Sequence, residues 1–357
     1  MVRLLGFLLF FLAAPGLRAQ DTLLLFHPTA YNLALFHDLI REGTFPLDDY
    51  HILGVYHEKE AYDYSRSALY LFETKCTDMS LREVTGELTP DNCFAGNPCS
   101  ETFRGLFLSS RGALFMGGPD IPPALYGEES HLLTSVTDPH RHFLEASYIF
   151  HLLGGSQDRT RRPWLNDRPD YLMSGICLGM QTLHVGTGGR MVQDIPSEVY
   201  GIWTAEALLR LPADEMHRNY NDQLLYDCEG PTSYHFHRID PAEGSFLQPL
   251  TAQASGEAPW VLSSHHQAAE EAGEDWKVAA RSRDGKIIEA LEHRTFPHVF
   301  GVQFHPEKPG LFDAAVEQPA GCGETVNFNQ VIAGNASLDF HLGYWKLLAD
   351  ILNASRE

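Results

Sequence analysis

Apolar positions along this chain are arranged in two ways, and the change from one to the other predicts its architecture. In the first half they form short unbroken runs between stretches of helical spacing. Thr-Leu-Leu-Leu-Phe at 22–26 is a run of the length of one buried strand. Over 31–42, Leu35, Leu39 and Ile40 fall on one face of a helix. Residues 50–56 predict the next strand. Residues 57–110 read as an insertion with helices near 62–72 and 101–109. A strand follows over 113–116 and a helix over 131–153, broken near Pro139. The apolar Tyr171-Leu172-Met173 then leads into a further helical stretch. This order of strands and helices predicts a parallel sheet covered on both faces. Such sheets bind ligands at the carboxyl ends of their strands.

The second half changes character. Strands are expected at 201–211, 232–239, 260–264, 277–281 and 287–292, with Asp284-Gly285 as a hairpin turn. Another buried strand begins at Val299. Residues 308–337 are loop-like, rich in Gly, Pro and polar residues. A closing amphipathic helix over 338–352 presents Phe340, Tyr344, Leu347, Leu348 and Ile351 on one face. There is no internal repeat and no low-complexity run. The expected fold class is α/β: a three-layer sandwich, flavodoxin-like, with a mostly parallel central sheet and an antiparallel excursion in the second half.

The first residues change the picture of where the chain works. Arg3 precedes an apolar core over 4–14, short of the ~20 residues a spanning helix needs. Pro15, Gly16 and Ala19 then supply a break and a small residue for cleavage. Residues 1–19 are therefore expected to be a secretory signal peptide, leaving 20–357 as one domain that is secreted or periplasmic. No Cys precedes Cys76, so a bacterial lipid-anchor signal is absent. No other stretch is long enough to span a bilayer.

Of the 357 residues, 26 are Lys or Arg and 47 Asp or Glu, a formal charge of −21. That balance argues against nucleic acid, whose phosphates demand a basic face. Six cysteines are present. Cys76, Cys93 and Cys99 share a segment, 74–100, that also carries Pro90, Gly96 and Pro98. In an oxidising compartment a disulfide is expected among these three; their spacings fit no zinc pattern.

Chemistry concentrates in three segments. Gly-Ile-Cys-Leu-Gly-Met-Gln at 175–181 places Cys177 at the corner between a buried strand and a helix, flanked by Gly175 and Gly179. That is a nucleophile-elbow pattern with sulfur as the reactive atom. A thiol at a helix N-terminus is favoured as thiolate, although a buried structural Cys packed by two glycines would read the same way. Val-Phe-Gly-Val-Gln-Phe-His-Pro-Glu at 299–307 ends a strand with His305 and Glu307 on the same side. Pro306 biases His305 toward an extended backbone. Glu307 can thus orient an imidazole whose other nitrogen faces a nucleophile. Ala-Leu-Phe-Met-Gly-Gly-Pro-Asp at 113–120 leaves backbone N–H groups free at two glycines. Gly118 N–H and Leu178 N–H are the candidate oxyanion donors; alone, Gly-Gly-Pro would be an ordinary tight turn.

In this order the three segments resemble the class I glutamine amidotransferase-like superfamily. Further stretches narrow the resemblance: Pro123-Ala-Leu-Tyr-Gly-Glu-Glu129, Gly188-Gly-Arg-Met-Val-Gln-Asp-Ile195, Ser264-His-His-Gln-Ala268, Ala280-Arg-Ser-Arg-Asp-Gly285 and Glu289-Ala-Leu-Glu292. These are most similar to the γ-glutamyl-γ-aminobutyrate hydrolase family, over roughly residues 110–308 with a looser start near residue 22. Leu178 departs from that family, which more often has Arg after the nucleophile. The resemblance implies a cysteine hydrolase with a Cys177–His305–Glu307 triad, acting through a thioester on a small-molecule γ-glutamyl amide. Two other readings stand beside it: a glutaminase subunit delivering ammonia to a synthase, and a non-catalytic secreted binding protein.

His265 and His266 are expected at the pocket rim, and Gln181, one helical turn past Cys177, to bind substrate or cap the pocket. His235-x-His237 puts two imidazoles on one strand face, but no third ligand lies at useful spacing. Neither a metal nor an organic cofactor is expected. Asn335-Ala-Ser and Asn353-Ala-Ser are glycosylation acceptors if the source is eukaryotic.

Overall fold

The computed structural model describes residues 21–221, 224, 230–254, 257–335 and 337–354. The expected signal peptide lies outside them. One ten-stranded sheet organises the chain. Its spatial order is Met79–Val84, Tyr50–His57, Asp21–Phe26, Gly112–Phe115, Leu172–Ile176, Val299–Val302, Ile288–His293, Trp276–Ser282, His235–Pro241 and Trp260–Ser263. From Met79–Val84 through Val299–Val302 every neighbouring pair is parallel. Beyond that every pair is antiparallel. The expected mixed α/β sandwich is therefore the one observed.

Side-chain alternation explains why the first strand is apolar throughout. Leu24 and Phe26 enter the core on one face of the sheet, with the helices Ser100–Ser109, Pro139–Leu153 and Leu178–Gly186. Leu23 and Leu25 enter the core on the other, with Ala30–Arg41 and Leu338–Ala354. Ala113 and Phe115 oppose Leu114 and Met116 in the same way. Each fully buried Leu or Phe contributes about 1.5–3 kcal/mol, so the two covers hold the central strands from both sides. Thr29 starts the first helix by accepting a hydrogen bond from Asn32 N.

Several expectations change. Residues 57–110 hold an unexpected strand between the two expected helices: Met79–Val84 pairs with Tyr50–His57 and extends the sheet as an edge strand. Its exposed Arg82 and Glu83 suit an edge and hid it as a strand. The 201–211 stretch holds a short helix, Ala205–Leu208, because Thr204 caps it by accepting from Ala207 N. The long helix begins only at Pro139, where Asp138 is the cap and proline occupies the first turn. Residues 308–337 are not a bare loop: Gln318–Gly321 pairs with Glu324–Val326, and Phe328–Gly334 is helical. Asp284-Gly285 forms the expected turn, with Gly285 at φ 75° and Ser282 N donating to Ile287 O at 2.9 Å.

The disulfide expected among Cys76, Cys93 and Cys99 is not there: all three are free thiols. Cys93 and Cys99 pack in the core on one face of the sheet, while Cys76 packs against the core on the other. Cys93 Sγ lies 3.4 Å from Phe143 O and Cys99 Sγ 3.5 Å from Thr85 O. Burial pushes these two thiols up, to about 12 and about 11. Cys322 is disulfide-bonded. Among the described residues no helix is long and apolar enough to cross a membrane.

Candidate functional site

Register brings the three chemistry-bearing segments to one edge. Phe115 pairs with Gly175, and Ile176 with Val302, so these parallel strands end together. Gly117, Cys177 and the 303–307 segment emerge side by side at the carboxyl ends. Cys177 occupies φ 54°, ψ −110°, a backbone conformation that L residues rarely adopt. It is held there by Cys177 N donating to Val302 O at 2.8 Å and Gln181 N donating to Cys177 O at 3.2 Å. The glycines on either side are required by close approach. A Cβ on Gly175 would sit 2.3 Å from the Gly179 carbonyl carbon, and one on Gly179 would sit 2.0 Å from Phe115 O.

His305 Nδ1 lies 2.6 Å from Glu307 Oε1. A carboxylate only accepts, so Nδ1 carries the hydrogen and Nε2 is free for a second partner. The ring leans against the Gly117 backbone: a Cβ there would be 2.9 Å from His305 Cε1 and 3.6 Å from Cys177 Cβ. His305 is almost fully buried, which works against its charge, yet the charges of Glu307 and Cys177 raise it to about 9. Burial opposes the Glu307 charge too, but His305 and Lys308 bring it down to about 2. Lys308 Nζ is 3.4 Å from Glu307 Oε1 and stands over the rings of Tyr31 and Tyr234, 5.1 Å from each centroid.

A cavity of about 360 Å³ opens on these groups and includes Cys177, His305, Gly117 and Gly118 in its lining. Among the described residues neither Gly118 N–H nor Leu178 N–H donates a hydrogen bond, so both are available. Arg141 fixes the glycine turn from behind. Its guanidinium donates to Met116 O at 2.6 Å, to Gly117 O at 3.2 Å and to Glu145 Oε1 at 2.8 Å. The Gly117–Gly118 peptide is trans. With its carbonyl turned to Arg141, its N–H is turned away.

Not every expected residue joins this cavity. Gln181 is buried behind it, donating to Gln267 O at 3.1 Å and to Gln303 Oε1 at 3.2 Å. Its helical register puts it beneath Cys177 rather than in the opening. His265 is also buried away from the cavity, and the residue of that loop lining it is Ser264. His266 lies between two carboxylates, with Nδ1 3.2 Å from Asp194 and Nε2 3.1 Å from Asp120. Burial opposes its charge, but both aspartates hold it up at about 9. It thus ties the Gly-Gly-Pro-Asp turn to the Gln-Asp-Ile segment, and it lines a neighbouring cavity of about 410 Å³ that includes neither Cys177 nor His305.

Three contributors were not singled out by the sequence. Gln303 Nε2 reaches Cys177 Sγ at 3.6 Å. Lys308 supplies a cation beside the His305–Glu307 pair. Arg141 was marked only by standing four residues before Glu145 in its helix, a spacing that puts both on one face.

An elbow cysteine beside an imidazole–carboxylate pair, at the carboxyl edge of this sheet, defines a protein of the class I glutamine amidotransferase-like type. Residues 101–307 match the Peptidase C26 family, and the chain belongs to it. It is 34% identical over 230 residues to a Mycobacterium tuberculosis protein named, provisionally, a glutamine amidotransferase. That match takes in 61% of this chain and 58% of the relative. It is 29% identical over 197 residues to the gamma-glutamyl-gamma-aminobutyrate hydrolase of Escherichia coli strain K12, covering 55% of this chain and 63% of the relative. The chain thus spans about three fifths of the length of these relatives.

Proposed function

We propose that this chain is a cysteine hydrolase that cleaves γ-glutamyl amide bonds. The observation that carries the reading is Cys177, held at φ 54° on the elbow and sharing one cavity with the buried His305–Glu307 pair. In this reading Cys177 Sγ, its proton held by His305, attacks the amide carbonyl carbon. The N–H groups of Gly118 and Leu178 take the developing oxyanion. As the intermediate collapses, the C–N bond breaks and His305 protonates the leaving amine. Water then attacks the thioester with His305 as base, releasing the acid and restoring the thiol. Glu307 keeps the imidazole in the tautomer and orientation both steps need. The γ-glutamyl assignment is supported by the hydrolases among the relatives and by Lys308, a cation in the cavity wall to meet a substrate carboxylate.

We also propose export, from the charged and apolar sequence of residues 1–19. Mature protein recovered from the native host should begin at Gln20; a cellular chain starting at Met1 refutes this.

The purified chain alone is assayed against γ-glutamyl amines, free glutamine and α-linked glutamyl peptides, with trapping of the thioester. Turnover of several γ-glutamyl amines without a partner is expected, and Cys177→Ala should abolish it in a folded protein. Activity on glutamine alone, and only after a synthase is added, would favour the ammonia-delivering subunit. No turnover and no thioester with an intact reduced Cys177 would favour the binding protein.

A further inference from the structure

Four side chains meet inside the antiparallel half of the molecule, outside the lining of the catalytic cavity. His237 comes from strand His235–Pro241 and Glu289 from Ile288–His293. His265 follows strand Trp260–Ser263, and His217 lies on a segment whose carbonyl accepts from His265 N at 3.0 Å. All four are buried, at 0% exposure for His237 and Glu289, 2% for His217 and 4% for His265. One nitrogen or oxygen from each lies within 4.8 Å of all the others. Glu289 Oε1 is 3.0 Å from His217 Nδ1, 3.8 Å from His265 Nε2 and 3.9 Å from His237 Nε2. A tetrahedral ion with bonds of about 2.0–2.1 Å sets its ligand atoms about 3.3–3.4 Å apart. The observed separations from Glu289 bracket that value.

Protein hydrogen bonds do not account for this cluster. Both carboxylate oxygens of Glu289, both ring nitrogens of His217, and Nε2 of His265 are buried with no hydrogen-bond partner among the described residues. The 3.0 Å approach of His217 to Glu289 lacks the angle of a hydrogen bond. Interiors seldom leave such a group of polar atoms unsatisfied, and a buried carboxylate least of all. The remaining ring nitrogens are already oriented. His265 Nδ1 is 2.9 Å from Gln267 O and His237 Nδ1 is 3.3 Å from Arg238 O. Carbonyls only accept, so each Nδ1 carries the hydrogen and each Nε2 turns a lone pair into the cluster.

We propose that His217, His237, His265 and Glu289 hold one divalent transition-metal ion, zinc by the chemistry of the set. Three imidazoles and one carboxylate suit zinc, and four protein ligands out of contact with solvent leave no position open for substrate, as in a structural site. On binding, His237 Nε2 gives up its 2.8 Å contact with Ser263 Oγ. The ion clasps the His-His-Gln loop onto the sheet. That loop supplies Ser264 to the catalytic cavity and His266 to the two aspartates. Glu289 O also accepts from Gln303 N at 2.8 Å, and the Gln303 side chain reaches Cys177.

The test uses the whole chain, purified without chelators or nickel resin, with metal measured by mass spectrometry. About one zinc per chain is expected. Glu289→Gln and His237→Ala should lower the content by about tenfold or more, while His235→Ala, on the same strand but outside the cluster, should retain it. Because either ligand variant could fail to fold, the wild-type chain is also stripped with a strong chelator and reloaded. Its Tm should fall by ~5–10 °C and return with zinc, and cobalt reloading should give the visible bands of a four-coordinate ion. A stoichiometric ion other than zinc would keep the site and overturn the zinc assignment. A native chain holding less than about a tenth of an ion, with no zinc uptake and no Tm response, would overturn the proposal.

Discussion

Arg141 is the residue whose replacement tests the oxyanion geometry most sharply. It reaches Met116 O at 2.6 Å, Gly117 O at 3.2 Å and Glu145 Oε1 at 2.8 Å, so one rigid fork sets the orientation of the peptide that ends in Gly118 N–H. Arg141→Met frees both carbonyls, and the peptide can turn. If the Gly118 donor is lost, kcat should fall by about 10²–10³, or about 2.7–4 kcal/mol. KM should change little, because the oxyanion exists only in the transition state. The substitution also strands Glu145, at 0% exposure. Removing one partner of a buried ion pair costs about 3–5 kcal/mol. Burial already raises Glu145 to about 7 against the pull of Arg141. Without Arg141 the carboxyl takes a proton at neutral pH, which keeps the cost near the lower figure. The double variant Arg141→Met/Glu145→Gln removes that charge and should recover much of the lost Tm without recovering kcat. Arg141→Lys should fall between, since a single ammonium cannot span both carbonyls and the carboxylate. The assay is release of amine from whichever γ-glutamyl compound turns over best, beside thermal melting of each variant. A folded Arg141→Met with near-wild-type kcat, a loss confined to KM, or kcat that returns together with Tm in the double variant would refute the orienting role.

Three other expectations follow from the contacts of these residues. His305 is held at about 9, chiefly by Glu307 against its burial, so kcat/KM should decline on the alkaline side near that pH; Glu307→Gln should move the limb to lower pH, and an unmoved limb would contradict the assignment. His266 is likewise held at about 9. Its raised value means that its stabilisation is complete below its ordinary 6.5 and is lost as pH rises through about 9. His266→Ala should therefore cost more stability at pH 6 than at pH 9.5 in denaturant titrations, and equal costs at the two pH values would rule this out. Gly179→Ala places a methyl 2.0 Å from Phe115 O and should destabilise by about 1–3 kcal/mol or more. Gly105→Ala, in a helix with nothing within 4 Å, should stabilise slightly; denaturation midpoints that reverse this order would show the elbow contact to be unimportant.

Legibility in the sequence followed burial on both faces. Leu23–Phe26 and Leu114–Met116 supply both cores by alternation, so their runs are apolar throughout and read directly as central strands. The elbow was equally plain, since two glycines around a cysteine record a close approach of strand and helix. Met79–Val84 was not, because an edge strand with exposed Arg82 and Glu83 carries the polarity of a loop. The 201–211 stretch misled because its four-residue helix is decided by one capping contact, from Ala207 N to Thr204 Oγ1 at 3.3 Å, which no period reveals. The cysteines misled for a different reason. Proximity in sequence between Cys76 and Cys93 spans an edge strand, so the two end on opposite sides of the sheet.

The site shows the same division between local and long-range order. His305 and Glu307 lie two residues apart in the turn just past strand Val299–Val302, and their Nδ1 and Oε1 meet at 2.6 Å. Cys177 reaches them only because Val302 pairs with Ile176, so its partnership depends on sheet order that strand polarity predicts in kind but not in register. Arg141, His217 and Glu289 depend on tertiary contacts. Each is a buried polar side chain, and such burial is unfavourable unless a partner arrives from elsewhere in the chain. For Arg141 the partners are the carbonyls of the glycine turn and Glu145, all present in the protein. For Glu289 the carboxylate oxygens find no donor among the described residues. Unsatisfied burial of that kind at Glu289 is what the proposed ion would relieve. At Arg141 the buried guanidinium holds the Gly117–Gly118 turn of the Cys177 cavity through its carbonyls, and at Glu289 the proposed ion would do the same for the Ser264 loop.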